Sequence, residues 1–420
     1  MKVLGIVAEY NPFHNGHLHH LKTSRALSGA ECIVAVMSGN FTQRGEPALV
    51  DKWARTEMAL LNGVDLVIEL PCVYAMSSAE YFAFGAVKLL DSLGAVDTLC
   101  FGSESGSIER LTEVAIILAD EPDDYKLALK ASLSVGKSFP AARQEALSCY
   151  LKAQYGKDTL SDILKNPNNI LGIEYLKALR RLNSSMLPIT LKRSGNEYNS
   201  TELSGEMSSA TSIRKIIAEN KWSDAKKLLE STLPNQTINI LEREFDLGRG
   251  PILPSDFTTL LLSSLRRMSV EEISTLPYME EGLENRFKLA ADNAGSFKEL
   301  MKSICTRRYT NTRIQRSLFS LMTGLRRDSF DGFNRNGGPV YIRILGFTNT
   351  GRQLLSSIKD STVLPVITKA ADFKNSDIPF VTEMLNIEAA AADQYVLGFK
   401  NVDLRKSGSE FTRNVIYPTF

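Results

Sequence analysis

Apolar residues at the start of the chain come in short unbroken runs, separated by stretches of helical periodicity. Residues 3–8, 32–37, 65–70 and 98–101 are compact, apolar and rich in β-branched side chains. Runs of this kind suit strands covered on both faces. Between them, residues 16–27, 52–61 and 78–93 place apolar side chains at helical spacing, with Asp51 and Ser78 where N-caps belong. Strand–helix–strand repetition predicts right-handed βαβ units and an α/β fold, a Rossmann-like doubly wound parallel sheet. Residues 107–155 and 169–182 read as further helices and 187–192 as a fifth strand. A Gly/Asn/Ser-rich loop over 194–209 then leads into a short helix at 211–219.

Pro234 and Asn235 interrupt the pattern soon after Glu230. Two domains are therefore expected: 1–230, carrying the sheet, and 231–420, a mainly helical α+β domain. The second has helices at 256–267, 284–293, 311–325 and 377–397, and strand candidates at 340–345 and 363–367.

All four histidines fall within seven residues, as His14, His17, His19 and His20, directly after the first strand. In an open parallel sheet the first strand–helix junction favours phosphate, because helix N-terminal N–H groups are unpaired and carry partial positive charge. Gly16 lacks the Cβ that would block a close approach, and His14 and His17 can donate to phosphoryl oxygens. A metal site built on His14, His17 and His20 is the competing reading. It lacks the four-residue helical spacing with an intervening glutamate that a zinc pair uses. His19 and His20 also read as decoration of an exposed helix face.

Composition and charge narrow the setting. No apolar run approaches the roughly 18 residues needed to span a bilayer, so no membrane partner is expected. Residues 3–8 are too short for a secretory signal and run straight into Glu9-Tyr10-Asn11-Pro12. The five cysteines are odd in number and scattered, which points to a reducing, cytoplasmic setting without disulfides or a Cys-based zinc site. Net charge is +1, yet residues 301–360 hold eleven Lys or Arg against three Asp. Within that stretch Arg307, Arg308, Tyr309, Arg313 and Arg316 open an amphipathic helix and read as an RNA surface, arginines on phosphate and tyrosine on bases. A solvated charged helix is the plainer alternative.

Asn11-Pro12-Phe13-His14-Asn15-Gly16-His17 resembles the H-x-G-H signature of the nucleotidylyltransferase superfamily. Ser208-Ser209-Ala210-Thr211-Ser212-Ile213-Arg214 resembles its distal I-S-S-T-x-x-R motif. Further segments resemble the bacterial tRNA(Met) cytidine acetate ligase family over the full chain: 7–18, 37–48, 51–55, 101–104 and 166–172. That resemblance implies ATP contacts at Val7, Ala8, Glu9, Tyr10, Asn11, Pro12, Phe13, His14, Asn15, Gly16, His17, Leu18, His19 and His20. It adds Gly102, Asn169 (or its neighbour Asn168) and Arg193, with Ser209, Thr211 and Ser212 facing the phosphates. His14, His17 and Arg214 would be catalytic, and Asn40, Gln43, Arg44 and Lys52 would lie on the acceptor side. The implied reaction joins acetate and ATP into acetyl-adenylate and moves the acetyl group to the exocyclic amine of the wobble cytidine of elongator tRNA(Met). ATP, acetate and that tRNA are the implied partners, and Mg²⁺ would bridge the phosphates without a protein cage. A small-molecule adenylyltransferase and a non-catalytic RNA-binding protein remain as other readings of the same residues.

Overall fold

Seven strands form one sheet in the computed structural model, which describes residues 1–158, 160–193, 208–280, 282–306, 309–359 and 362–418. Five are parallel: β1 (Val3–Ala8), β2 (Cys32–Ser38), β3 (Leu66–Leu70), β4 (Thr98–Ser103) and β5 (Leu187–Lys192). Every residue of β2 and β3 is buried, as their continuous apolar runs require. One face of the sheet carries α1 (Asn15–Ser28) and α2 (Lys52–Leu61). The other carries helices Ala79–Ser92 and Pro167–Arg181. Asp51 caps α2 by accepting from Ala54 N at 2.8 Å. Ser78 occupies the cap position of the helix Ala79–Ser92 without a side-chain bond.

The sheet does not end with the first half of the chain. β6 (Ile342–Phe347) pairs antiparallel with β3, Leu66 opposite Phe347 and Glu69 opposite Arg343, and β7 (Val366–Ile367) pairs parallel with β6. The core on that face joins Val3, Leu90 and Ile173 to Phe333, Ile344 and Met384. A division at residue 230 thus separates the sequence but not the sheet. Helices of the second half build a further core around Phe257, Phe287, Leu318 and Tyr395, which reaches back to Phe41 and Cys72.

Two local readings change. Pro234 caps the helix Asn235–Asp246 rather than interrupting the pattern, and helix Trp222–Leu229 precedes it. Residues 107–155 are three helices, Ile108–Asp120, Asp123–Ser134 and Phe139–Tyr155. The breaks fall at left-handed Glu121 and Gly136. Among the described residues no helix is long and apolar enough to cross a membrane.

Candidate active site

The sheet splits where the strand order reverses. The β1–β2 ladder runs to Ala8↔Met37 and the β4–β5 ladder to Ser103↔Lys192, but β1–β4 pairing stops at Ile6↔Cys100. Beyond that point β1 and β4 diverge at their carboxyl ends, the switch point at which open α/β sheets bind ligands. A cavity of about 320 Å³ opens there. Its wall brings together the end of β1, the start of α1, the tip of β4, Arg193 after β5 and the turn Ser208–Thr211. The two signature segments, about 200 residues apart, therefore meet at one cavity.

The histidines form a cap with fixed hydrogen positions. His14 is the N-cap of α1: its Nδ1 accepts from Gly16 N at 3.0 Å, and its own N–H donates to His17 Nδ1 at 3.3 Å. The two rings stack with centroids 3.8 Å apart, and Tyr10 meets His17 edge-on. A Cβ on Gly16 would lie 2.8 Å from the His14 ring, so glycine is what lets the imidazole turn back onto the helix. Because both Nδ1 atoms accept, both Nε2 atoms carry the proton. Burial, aided by the Arg193 and Arg214 guanidinium groups, pushes His14 down to about 3. Burial also takes His17 well below the usual imidazole range, with His14, Arg193 and His20 adding to the shift. Burial and Arg193 bring His20 to about 4. The site thus presents neutral N–H donors, with fixed cations beside them. The same geometry argues against the metal reading, since each Nδ1 is spent on a backbone N–H.

Arg214 donates to the Asn11 carbonyl at 3.0 Å and pairs with Glu46 at 2.9 Å. This ties the distal helix Ala210–Glu219 to the histidine segment and to the loop after β2. Asn11 holds that loop as well, its Oδ1 accepting from Leu49 N at 2.8 Å, while its buried Nδ2 has no partner among the described residues. Burial raises the Glu9 carboxyl above the ordinary range; the Gln43 N–H, Arg214 and Arg44 counteract, and Glu46 adds to the rise.

The predicted residues divide clearly. Val7, Ala8, Glu9, Tyr10, Asn11, His14, Gly16, His17, His19 and His20 line the cavity, with Gln43, Arg44, Gly102, Arg193, Ser209, Thr211 and Arg214. Pro12, Phe13, Asn15 and Leu18 do not: Phe13 is core, and Asn15 binds the Ser231 and Thr232 carbonyls. Ser212 is fully buried, its hydroxyl donating to the Ser209 carbonyl. Asn169 is buried too, with Oδ1 on Ser105 N, whereas Asn168 is on the wall and 3.5 Å from Arg193.

Two acceptor-side expectations are overturned. Asn40 is spent on the Lys52 backbone N–H. Lys52 is itself fully buried, 2.6 Å from Glu69, 2.6 Å from Glu410 and 3.5 Å from Glu388. Arg55 is equally buried, donating to the Glu9, Ser38, Gly39 and Val50 carbonyls.

The basic stretch is also corrected. Tyr309 is buried under the Arg313 guanidinium. Arg313 binds the Tyr278 carbonyl and Glu280, and Arg316 lies over the Tyr278 ring and donates to the Gln43 carbonyl. Arg343 is fully buried against Glu410. Arg307 and Arg308 lie outside the described residues. Residues that sequence reasoning missed, Phe82, Phe101 and Tyr175, also line the cavity. Their spacing shows only a helix or strand core, because the cavity is assembled from elements far apart in the chain.

Fold and site together define a nucleotidyl transferase of the HIGH class, and the HIGH Nucleotidyl Transferase family model matches residues 1–410. The chain is 50% identical to the tRNA(Met) cytidine acetate ligase of Acetivibrio thermocellus, over 99% of its own length and 100% of the relative's. It is 47% identical to that of Caldanaerobacter subterraneus subsp. tengcongensis, over 97% and 98%. The chain belongs to the tRNA(Met) cytidine acetate ligase family. A crystal structure of Thermotoga maritima TmcAL bound with alpha-thio ATP superposes with a TM-score of 0.91 at 38% identity, covering 99% of each chain.

Proposed function

We propose that the chain uses ATP to convert acetate to acetyl-adenylate and then passes the acetyl group to the exocyclic amine of the wobble cytidine of elongator tRNA(Met). The observation that carries this reading is the meeting of the paired imidazoles with the Ser209–Arg214 turn at one cavity, in a chain that matches tRNA(Met) cytidine acetate ligases over its full length.

Acetate is ionised at neutral pH, so its attack on the α-phosphorus needs no general base. The site has to supply position and charge neutralisation. His14 and His17 offer Nε2–H groups to the phosphoryl oxygens, and as neutral donors they remain in place through the physiological range. Arg193 stands at the tip of β5, where Gly102 leaves room for its stem; a Cβ on Gly102 would lie 3.3 Å from its Cγ. Arg214 neutralises the leaving pyrophosphate, exchanging its Glu46 partner for phosphate oxygens. Ser209 and Thr211 stand beside it at the start of their helix, where backbone N–H groups favour an anion. Among the described residues Glu9 is the one carboxylate on the cavity wall. This donor set is too small for a dedicated Mg²⁺ cage. The cytoplasm, where uncharged tRNA and ATP meet, is the proposed location.

ATP–pyrophosphate exchange tests the reading. Exchange should require acetate, and His17→Ala should lower it by about 100-fold or more, the usual scale for losing a transition-state donor. Exchange that proceeds with a small nucleotide in place of acetate would instead support a small-molecule adenylyltransferase.

A further inference from the structure

The second half-reaction has a requirement that the first does not. As the cytidine amine forms its bond to the acetyl carbon, it must lose a proton. The paired imidazoles cannot take it, because His14 and His17 have spent Nδ1 on backbone N–H groups and carry hydrogen on Nε2; His20 has its Nε2 3.8 Å from the Cys100 sulfur, and His19 is exposed. Arg44, Lys192, Arg193 and Arg214 on the same wall are donors only. Glu9 is the one carboxylate there among the described residues.

Its placement suits an acceptor nucleoside better than a triphosphate. Glu9 follows directly on β1, where the loop after β2 comes alongside. Its Oε1 accepts from Gln43 N at 2.8 Å, and its Oε2 accepts no hydrogen bond among the described residues. The backbone beneath it is rigid. The buried Arg55 guanidinium binds the Glu9 carbonyl at 2.8 Å and the Ser38 carbonyl at 3.0 Å, pinning the ends of β1 and β2 together. The charged groups facing the carboxylate are Arg214, Arg44 and Glu46. A carboxylate is also the natural partner of a cytosine amine. Cytosine presents N4–H donors where uracil presents the O4 acceptor, which a carboxylate repels.

We propose that the Glu9 carboxylate accepts the N4 proton of the cytidine, acting as general base of acetyl transfer and as the group that selects cytidine over uridine. This rests on the function proposed above. The N4 lone pair forms the bond to the acetyl carbonyl carbon. The bond from that carbon to the adenylate phosphate oxygen breaks, and AMP leaves with the electron pair. One N4 proton moves to Glu9 Oε2 and passes to water when the acetylated tRNA departs. Burial makes this carboxylate a stronger base than an exposed one.

The test supplies preformed acetyl-adenylate to the full-length enzyme with an unmodified tRNA(Met) transcript, and follows acetyl transfer in single turnover across pH. Glu9→Gln retains an acceptor for the Gln43 N–H but cannot take a proton. Its transfer rate is expected to fall by about 100-fold or more. The wild-type rate is expected to rise with pH, and in Glu9→Gln that rise should flatten. Glu9→Asp keeps a base with a shorter reach and should recover part of the rate together with the pH dependence. Transfer by Glu9→Gln at the wild-type rate, or with the wild-type pH profile, overturns the proposal. A wild-type enzyme that transfers nothing from acetyl-adenylate overturns the underlying function, and the role of Glu9 with it.

Discussion

The four histidines show how a residue's chemistry is set by what its other atom does. A histidine-rich run suggests cations or metal ligands, yet here backbone N–H groups occupy both critical Nδ1 atoms, and burial keeps the rings neutral. A depressed imidazole pKa contributes stability that is fully present above the unfolded value near 6.5. That stability is lost as pH falls through the folded value. With His14 brought to about 3 and His20 to about 4, the urea midpoint should drop between pH 6.5 and pH 4. In His20→Asn that drop should be smaller, as equilibrium unfolding at several pH values would reveal.

Lys52 is the opposite case, a charge that sequence reasoning placed on the acceptor side of the site and the fold placed in the core. Three carboxylates crowd its ammonium, raising its affinity for the proton despite burial. Glu69 is pushed well above the carboxylate range, first by burial and then by Glu388. Lys52→Met should cost about 3–5 kcal/mol, the range for breaking a buried ion pair. Adding Glu69→Gln should return part of that loss in urea unfolding. Nothing local marks Lys52, because two of its three partners, Glu388 and Glu410, lie more than three hundred residues away in the chain.

At the scale of elements, the strands of the first hundred residues and the caps were legible, since each is written in a few adjacent positions. Asp51 caps α2 as read, and the apolar runs became β1 to β4 with small shifts at their ends. What contact between elements decides was not legible. The loop after β2 is held by a helix from the other half: Gly45 adopts φ +75°, and a Cβ there would lie 2.3 Å from Arg316 N. Arg316 therefore supports the loop that carries Gln43 and Arg44, rather than facing solvent for RNA. Gly45→Ala should destabilise by about 2–4 kcal/mol through the left-handed backbone and the clash together. Thermal unfolding would measure this. A loss of acetyl transfer larger than the loss of exchange would show that the loop serves the acceptor side. Of the basic stretch, Lys302, Arg326, Arg335, Arg352 and Lys359 remain exposed.

For the whole molecule, the histidine motif and the distal Ser/Thr/Arg turn disclosed the site because each is short and chemically specific. The partition into two domains was read from Pro234, a local signal, and no local signal says that β6 returns to the sheet. A chain ending at residue 230 would leave β3 without its neighbour. It would also strip Lys52 of Glu388 and Glu410, and remove Ile344 and Met384 from the core. Such a fragment should show no cooperative thermal transition by circular dichroism, whereas the full chain should unfold in one.

The antiparallel fit of β6 against β3 also sets a schedule for biosynthesis. While the ribosome is translating the middle of the message, the hydrogen-bonding edge of β3 has emerged, but the strand that will shield it has not yet been made. An open apolar edge invites pairing with other nascent chains. For this protein the hazard lasts until residue 347 clears the exit tunnel, so slowing translation over the second half should lower the soluble yield more than slowing it over the first.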